Sequence, residues 1–73
     1  MIVTQENLHK IGPILRRRRI KYGVKQYELA DKANYTYPKL SEFEHGKIMP
    51  KVSTLIDLCD QLGLEIVLRE KRA

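Results

Sequence analysis

Few side chains in this 73-residue sequence could take part in catalysis or metal binding, and their spacing excludes most sites of these kinds. Cys59 is the single cysteine, and His9 and His45 are far apart in the sequence. A structural zinc site takes four closely spaced ligands, so we expect no metal site and no disulfide. No pair of carboxylates in a predicted pocket and no Ser/His/Asp set can be assembled either, so the sequence predicts neither an enzyme nor a cofactor.

Basic side chains are the most prominent polar feature of the sequence. Fourteen Lys and Arg against nine Asp and Glu give a net charge of +5, and residues 1–25 hold seven of the bases with a single acid. Such a surface favours a polyanionic partner, nucleic acid before membrane. No apolar run approaches the ~18–20 residues of a transmembrane helix, and no signal peptide opens the chain. We therefore expect a cytoplasmic protein, at the nucleoid if DNA is the partner.

The length predicts a single domain, residues 1–73, that needs additional stabilisation. Chains of this size are often stabilised by metal, disulfides or a partner subunit, and only the last remains open here. We therefore expect a homodimer.

Glycines and Asn34 divide the sequence into segments of about a dozen residues, which is typical of short helices joined by tight turns. A first helix starts after Thr4 and ends at Gly23. Pro13 would cost a hydrogen bond inside that helix, so either residues 5–11 form a separate turn or the helix bends. The apolar residues at helical spacing in this segment are Leu8, Ile11, Leu15 and Tyr22.

Two further helices follow at close spacing. The second runs over residues 26–33, and Asn34 can take the left-handed conformation that ends it. Thr36 can cap a third helix over residues 37–44, where Pro38 is tolerated in the first turn. A three-residue turn between two short helices is the spacing of a helix-turn-helix, whose second helix enters the DNA major groove.

A fourth helix is predicted between Pro50 and Gly63. Its expected buried residues are Val52, Leu55, Ile56, Cys59 and Leu62. From residue 64 to 69 apolar and polar side chains alternate, which predicts a strand. A lone strand invites pairing with another chain, so we expect it to join two copies. The predicted dimerisation residues are Leu64, Ile66, Val67 and Leu68.

Two segments carry a family resemblance. GVKQYELA (residues 23–30) resembles the G-[LV]-[TS]-Q-x-[ED]-L-A motif, and LSEFEHGK (residues 40–47) resembles the I-S-x-[IF]-E-x-G-K motif, of phage-repressor-like XRE/Cro-type DNA-binding proteins. The similarity covers about residues 11–63 without a gap. It implies an all-α, lambda-repressor-like bundle of four to five helices in residues 8–63, followed by the dimerisation strand in residues 64–69.

The resemblance implies roles for individual residues. Gln26 matches a glutamine that contacts a DNA phosphate and braces the recognition helix, and Lys47 lies in a loop that touches the DNA backbone. Arg19 and Glu44 match a structural ion pair between the first and third helices. The residues that match positions facing base edges are Thr36, Tyr37, Pro38, Lys39, Ser41 and Glu42. None of these is Gln, Asn or Arg, so specificity could rest on DNA shape and water.

The tail resembles that of HipB-like antitoxins, which pair C-terminal strands in a dimer. This resemblance implies a repressor of an inverted-repeat operator on double-stranded DNA and a HipA-like kinase toxin as partner. Two alternatives stay open. One is a free-standing phage-type or restriction-control regulator without a toxin. The other is a protein-interaction module without DNA binding, which the absence of typical base-reading residues favours.

Overall fold

Four α-helices form the protein in the computed structural model, which describes residues 2–72. A 3₁₀ turn at Leu8–Lys10 leads into the helices, which are α1 (Ile11–Lys21), α2 (Gln26–Lys32), α3 (Tyr37–Glu44) and α4 (Val52–Gln61). Helix α3 packs against both α1 and α2, and α2 also packs against α4. The prediction of an all-helical bundle is confirmed.

Pro13 lies where a proline costs least. Because α1 begins at Ile11, Pro13 is in the first turn, where a backbone N–H has no partner within the helix. Residues 5–7 form a turn before the 3₁₀ segment. Of the two predicted solutions, the chain adopts a separate turn before the helix.

All four α-helices end in the same way. Each is followed by a residue with positive φ, and the N–H of the residue after that one bonds back into the last turn of the helix, which is the Schellman motif. The positive-φ residues are Gly23, Asn34, Gly46 and Gly63. The returning hydrogen bonds are Val24 to Arg19 (3.1 Å), Tyr35 to Ala30 (2.8 Å), Lys47 to Glu42 (2.9 Å) and Leu64 to Cys59 (2.9 Å). Three of the returning residues, Val24, Tyr35 and Leu64, also pack against the core.

The core lies where the faces of the four helices meet. Its fully buried residues include Leu15, Leu29, Leu40, Phe43, Leu58 and Leu62. Part of the predicted core is wrong: Val52 and Ile56 are exposed. Thr54 and Leu58 are buried on α4 together with Leu55, Cys59 and Leu62, so the buried face of that helix is rotated from the predicted one.

The predicted C-terminal strand is absent from the part of the chain that the structure describes. Residues 64–69 have no regular secondary structure, because a strand requires a paired neighbour and residues 2–72 contain none. Leu64 is half-buried against the core, and its predicted dimerisation role stays a prediction. Ile66, Val67 and Leu68 are exposed, Leu68 to 95%.

Helices α1 and α3 touch at Gly12. A Cβ atom at this position would overlap the carbonyl oxygen of Phe43 in α3. The missing side chain therefore sets the distance between the two helices, and with it the position of α3 on the bundle.

Candidate nucleic-acid interface

The start of α3 is held by its own sequence. Thr36 is the N-cap residue, and its Oγ1 accepts a hydrogen bond from the N–H of Lys39 at 3.4 Å. Pro38 lies in the first turn, where its fixed φ suits a helix and its missing N–H costs nothing. The N-terminal end of α3 is thus ordered by its own cap and first turn.

That outer face is polar and open. Thr36, Tyr37, Pro38, Lys39 and Glu42 are exposed, and Ser41 is half-buried. On the inner side Leu40 and Phe43 are buried in the core, so the two faces of α3 are sharply divided. The six residues predicted to face base edges thus lie close together. Five are in α3, and Thr36 is the cap residue before it.

A buried network fixes the other end of α3. Arg19 and Glu44 form a bidentate ion pair, in which Nε donates to Oε2 at 2.7 Å and Nη2 donates to Oε1 at 2.9 Å. Nη1 of Arg19 donates to the carbonyl of Val24 at 2.8 Å. The Glu44 side chain is fully buried and that of Arg19 nearly so. Since a buried carboxylate requires such partners, the network locks α3 to α1.

Gln26 joins this network from the first position of α2. Its Nε2 donates to Oε1 of Glu44 at 2.9 Å, which ties α2 to α3. An amide nitrogen carries two hydrogens, so the second remains available for another acceptor. Of the two roles expected for Gln26, the geometry therefore shows the bracing of α3, and the phosphate contact stays a prediction.

Lysines border the exposed face of α3. Lys47 and Lys51 are exposed in the segment between α3 and α4. Lys39 and Lys51 line an open groove, together with Tyr35 and Thr54. Burial, and secondarily the negative charge of Glu42, raises the pKa of the Tyr35 phenol, which therefore stays protonated at neutral pH. The groove thus offers positive charge beside a neutral hydroxyl.

Arg18 has a structural role that the sequence did not reveal. Arg16 and Arg17 are exposed, but Arg18 is half-buried. Its Nε donates to the carbonyl of Leu62 at 2.7 Å, and its guanidinium lies 4.9 Å from the centre of the Tyr22 ring. Arg18 therefore ties α1 to the end of α4. Arg18 and Leu62 are far apart in the sequence, so no local sequence pattern could predict this contact.

Other kinds of site find no support within residues 2–72. No group of three or more His, Cys, Asp or Glu side chains in this range is placed to hold a metal ion. None of the helices described has the length and apolar character needed to cross a bilayer.

This geometry defines a helix-turn-helix protein, in which α2 supports α3 and α3 presents an open polar face. The family model described as Helix-turn-helix (HTH_3) matches residues 15–68. The chain therefore belongs to this XRE-type helix-turn-helix family.

Two solved structures share the fold. A crystal structure of the clp gene regulator ClgR from Corynebacterium glutamicum matches with a TM-score of 0.75 and 32% identity over 80% of this chain and 63% of that one. A second ClgR structure from C. glutamicum matches with a TM-score of 0.74 and 32% identity over 81% of this chain and 77% of that one. In the first comparison the chain thus spans less than two thirds of ClgR. A search of curated proteins finds no match. The family and the fold support the prediction of a DNA-binding transcriptional regulator.

Proposed function

We propose that this protein is a transcriptional repressor without enzymatic activity that binds an inverted-repeat operator as a homodimer, with α3 in the major groove. The observation that carries the proposal is the division of α3 into an open N-terminal face and a C-terminal end fixed by the Arg19–Glu44–Gln26 network. A recognition helix must be held rigidly while its outer side chains stay free to meet base edges.

The exposed side chains fit distinct parts of the DNA. Lys39 can donate to a guanine edge or a phosphate, and Glu42 can accept from cytosine N4. Tyr37 and Pro38 offer apolar contact to a thymine methyl, and Ser41 a hydroxyl at the inner edge of the face. The second amide hydrogen of Gln26 and the ammonium of Lys47 suit phosphate oxygens, which position the protein without reading sequence.

The dimer is supported by the exposed apolar residues beyond α4. Ile66, Val67 and Leu68 are open to solvent, and pairing this segment with that of a second copy would remove their apolar surface from water. A two-fold dimer would set the recognition helices about one DNA turn apart, ~34 Å, and so requires an inverted repeat.

A binding titration tests the proposal. A labelled duplex from the region upstream of the gene is expected to bind in fluorescence anisotropy, with affinity falling steeply as salt rises, because Lys and Arg displace condensed counterions. Lys39→Ala and Gln26→Ala are expected to weaken binding, by about 1–3 kcal/mol where a base contact is lost. Lys32→Ala is the matched control, since Lys32 is exposed at the end of α2 opposite Gln26. Absence of any binding at low salt would favour the interaction-module alternative.

The finer proposal is that the repressor is the antitoxin of a HipA/HipB-like pair. It rests on the resemblance of residues 63–69 to HipB-like tails and on the exposure of the apolar residues there. If it holds, a kinase-like product of a neighbouring gene will co-purify with the protein and lose activity in the complex. Operator binding without any such partner would favour the free-standing regulator.

A further inference from the structure

His45 completes the open face of α3. It directly follows the helix and lies one turn beyond Ser41 and Glu42, on the side that also carries Pro38. Its side chain is exposed, and its Nδ1 lies 2.7 Å from the carbonyl oxygen of Ser41. The ring is therefore held in one orientation at the end of the face.

The partner of Nδ1 determines where the ring proton sits. A carbonyl oxygen only accepts hydrogen bonds, so Nδ1 must carry a hydrogen and donate it to Ser41. In the neutral imidazole, Nε2 then presents a lone pair, which repels an anionic oxygen. In the imidazolium, Nε2 presents an N–H and a positive charge, which attract one. Protonation thus changes what the end of the α3 face offers from an acceptor to a charged donor.

We propose that His45 makes DNA binding pH-dependent. When the ring is protonated, its Nε2–H donates to a backbone phosphate; when the ring is neutral, Nε2 has no hydrogen and this contact is lost. The inference rests on the proposed function, since it assumes that the exposed face of α3 lies against DNA. It assigns His45 a role beyond the structural place at the end of the helix.

The charges around His45 are compatible with this role. On α3 the nearest ionisable side chain on the same face is Glu42, and Lys47 follows in the loop. From the segment before α1, the backbone of His9 approaches Gly46. From α1 the charge facing this end of α3 is that of Arg19, which Glu44 binds in the buried pair. Histidine is the side chain whose charge changes between about pH 5 and 8, so the two histidines are the groups to separate.

The experiment compares DNA affinity at about pH 5.5 and about pH 8. The probe is a mixed-sequence duplex of about two helical turns at low salt, because a phosphate contact needs no particular sequence. The variants are His45→Gln, which cannot be charged, His45→Arg, which is always charged, and His9→Gln as the matched control. Circular dichroism at both pH values establishes that each variant is folded.

Wild type and His9→Gln are expected to bind roughly two- to fivefold more tightly per copy at the lower pH. Their salt dependence is expected to steepen by about one phosphate per copy. His45→Gln is expected to lose both responses, and His45→Arg to bind tightly at both pH values. A full pH response in His45→Gln, or wild-type binding that does not change with pH, would overturn the inference while leaving the proposed function intact. No binding of any duplex by wild type at either pH would overturn both.

Discussion

At the scale of single residues, Glu44 is the position on which the recognition helix depends most. Its carboxylate is fully buried and accepts from Arg19 and Gln26. Its neighbours on α3, Leu40 and Phe43, only fill space. A residue that holds three helices by directed bonds tolerates less change than one that packs by shape.

Glu44→Ala is expected to lower the free energy of unfolding by about 3–5 kcal/mol, because it leaves the guanidinium of Arg19 buried without a counter-charge. For a chain of this length the whole stability is ~4–11 kcal/mol, so this loss would remove a large share of it. Urea denaturation measures the change. Glu28→Ala, which removes an exposed acid from α2, should stay within about 0.5 kcal/mol of wild type. A loss below about 1 kcal/mol for Glu44→Ala would contradict the role given to the network.

Cys59 gives the stability a pH dependence. Burial, and secondarily the charge of Asp60, raises the pKa of its thiol above the ordinary value of 9.0. Because the folded state holds this proton more tightly than the unfolded state, the stabilising contribution is complete below about pH 9 and is lost as the pH rises through the folded pKa. The urea midpoint should therefore fall as the pH rises above about 9. In Cys59→Ala this decline should be shallower; an unchanged decline would assign it to other groups.

At the scale of elements, the contact of α1 with α3 depends on the absence of a side chain at Gly12. Gly12→Ala improves helix propensity by about 1 kcal/mol, yet it is expected to destabilise the protein by at least about 2 kcal/mol, since its Cβ would overlap the carbonyl oxygen of Phe43. Thermal unfolding followed by circular dichroism measures the sign. Ser53→Ala, at the corresponding second position of α4 and exposed, should be nearly neutral. A Gly12→Ala variant more stable than wild type would contradict the close approach.

The sequence predicted those elements whose ends are marked locally. Asn34, Thr36 and Gly46 each act on the helix beside them, so α3 has the predicted bounds and α2 is one residue shorter than predicted. Gly12 and Arg18 depend on Phe43 and Leu62, which no local pattern connects to them. This is why the bundle could be predicted while two of its tertiary contacts could not.

The errors on α4 and the tail have a related cause. Val52 and Ile56 lie at helical spacing, but α4 packs against the bundle with Thr54 and Leu58 facing inward instead. Leu64 continues an alternating pattern, but its place directly after the positive-φ residue that ends α4 makes it the apolar partner of a Schellman motif.

At the scale of the whole molecule, the C-terminal tail allows folding and the proposed self-association to be tested separately. Leu64 packs against the core, whereas Leu68 is almost fully exposed. Leu64→Ser is expected to lower the stability of the bundle by about 1–2 kcal/mol. Leu68→Ser should leave the stability at low protein concentration unchanged and weaken the proposed dimer.

Urea denaturation and sedimentation equilibrium measure these two effects on the same samples. The leucines are four residues apart and receive the same substitution, so each variant is the control of the other. A wild-type protein that sediments as a monomer at micromolar concentration would disprove the dimer. Equal loss of stability in both variants would contradict the assignment of Leu64 to the core and of Leu68 to the proposed dimer.

The turn between α2 and α3 has a consequence for engineering. Each of its four residues contributes something different, since Ala33 is buried in the core, Asn34 adopts the left-handed conformation, Tyr35 packs against the core, and Thr36 caps α3. The turn has no spare length, so an inserted or deleted residue here would change the angle at which α3 is presented. The outward side chains of Tyr37, Lys39 and Glu42 make no such contribution and could be exchanged as a set, which would give the same scaffold a different target sequence.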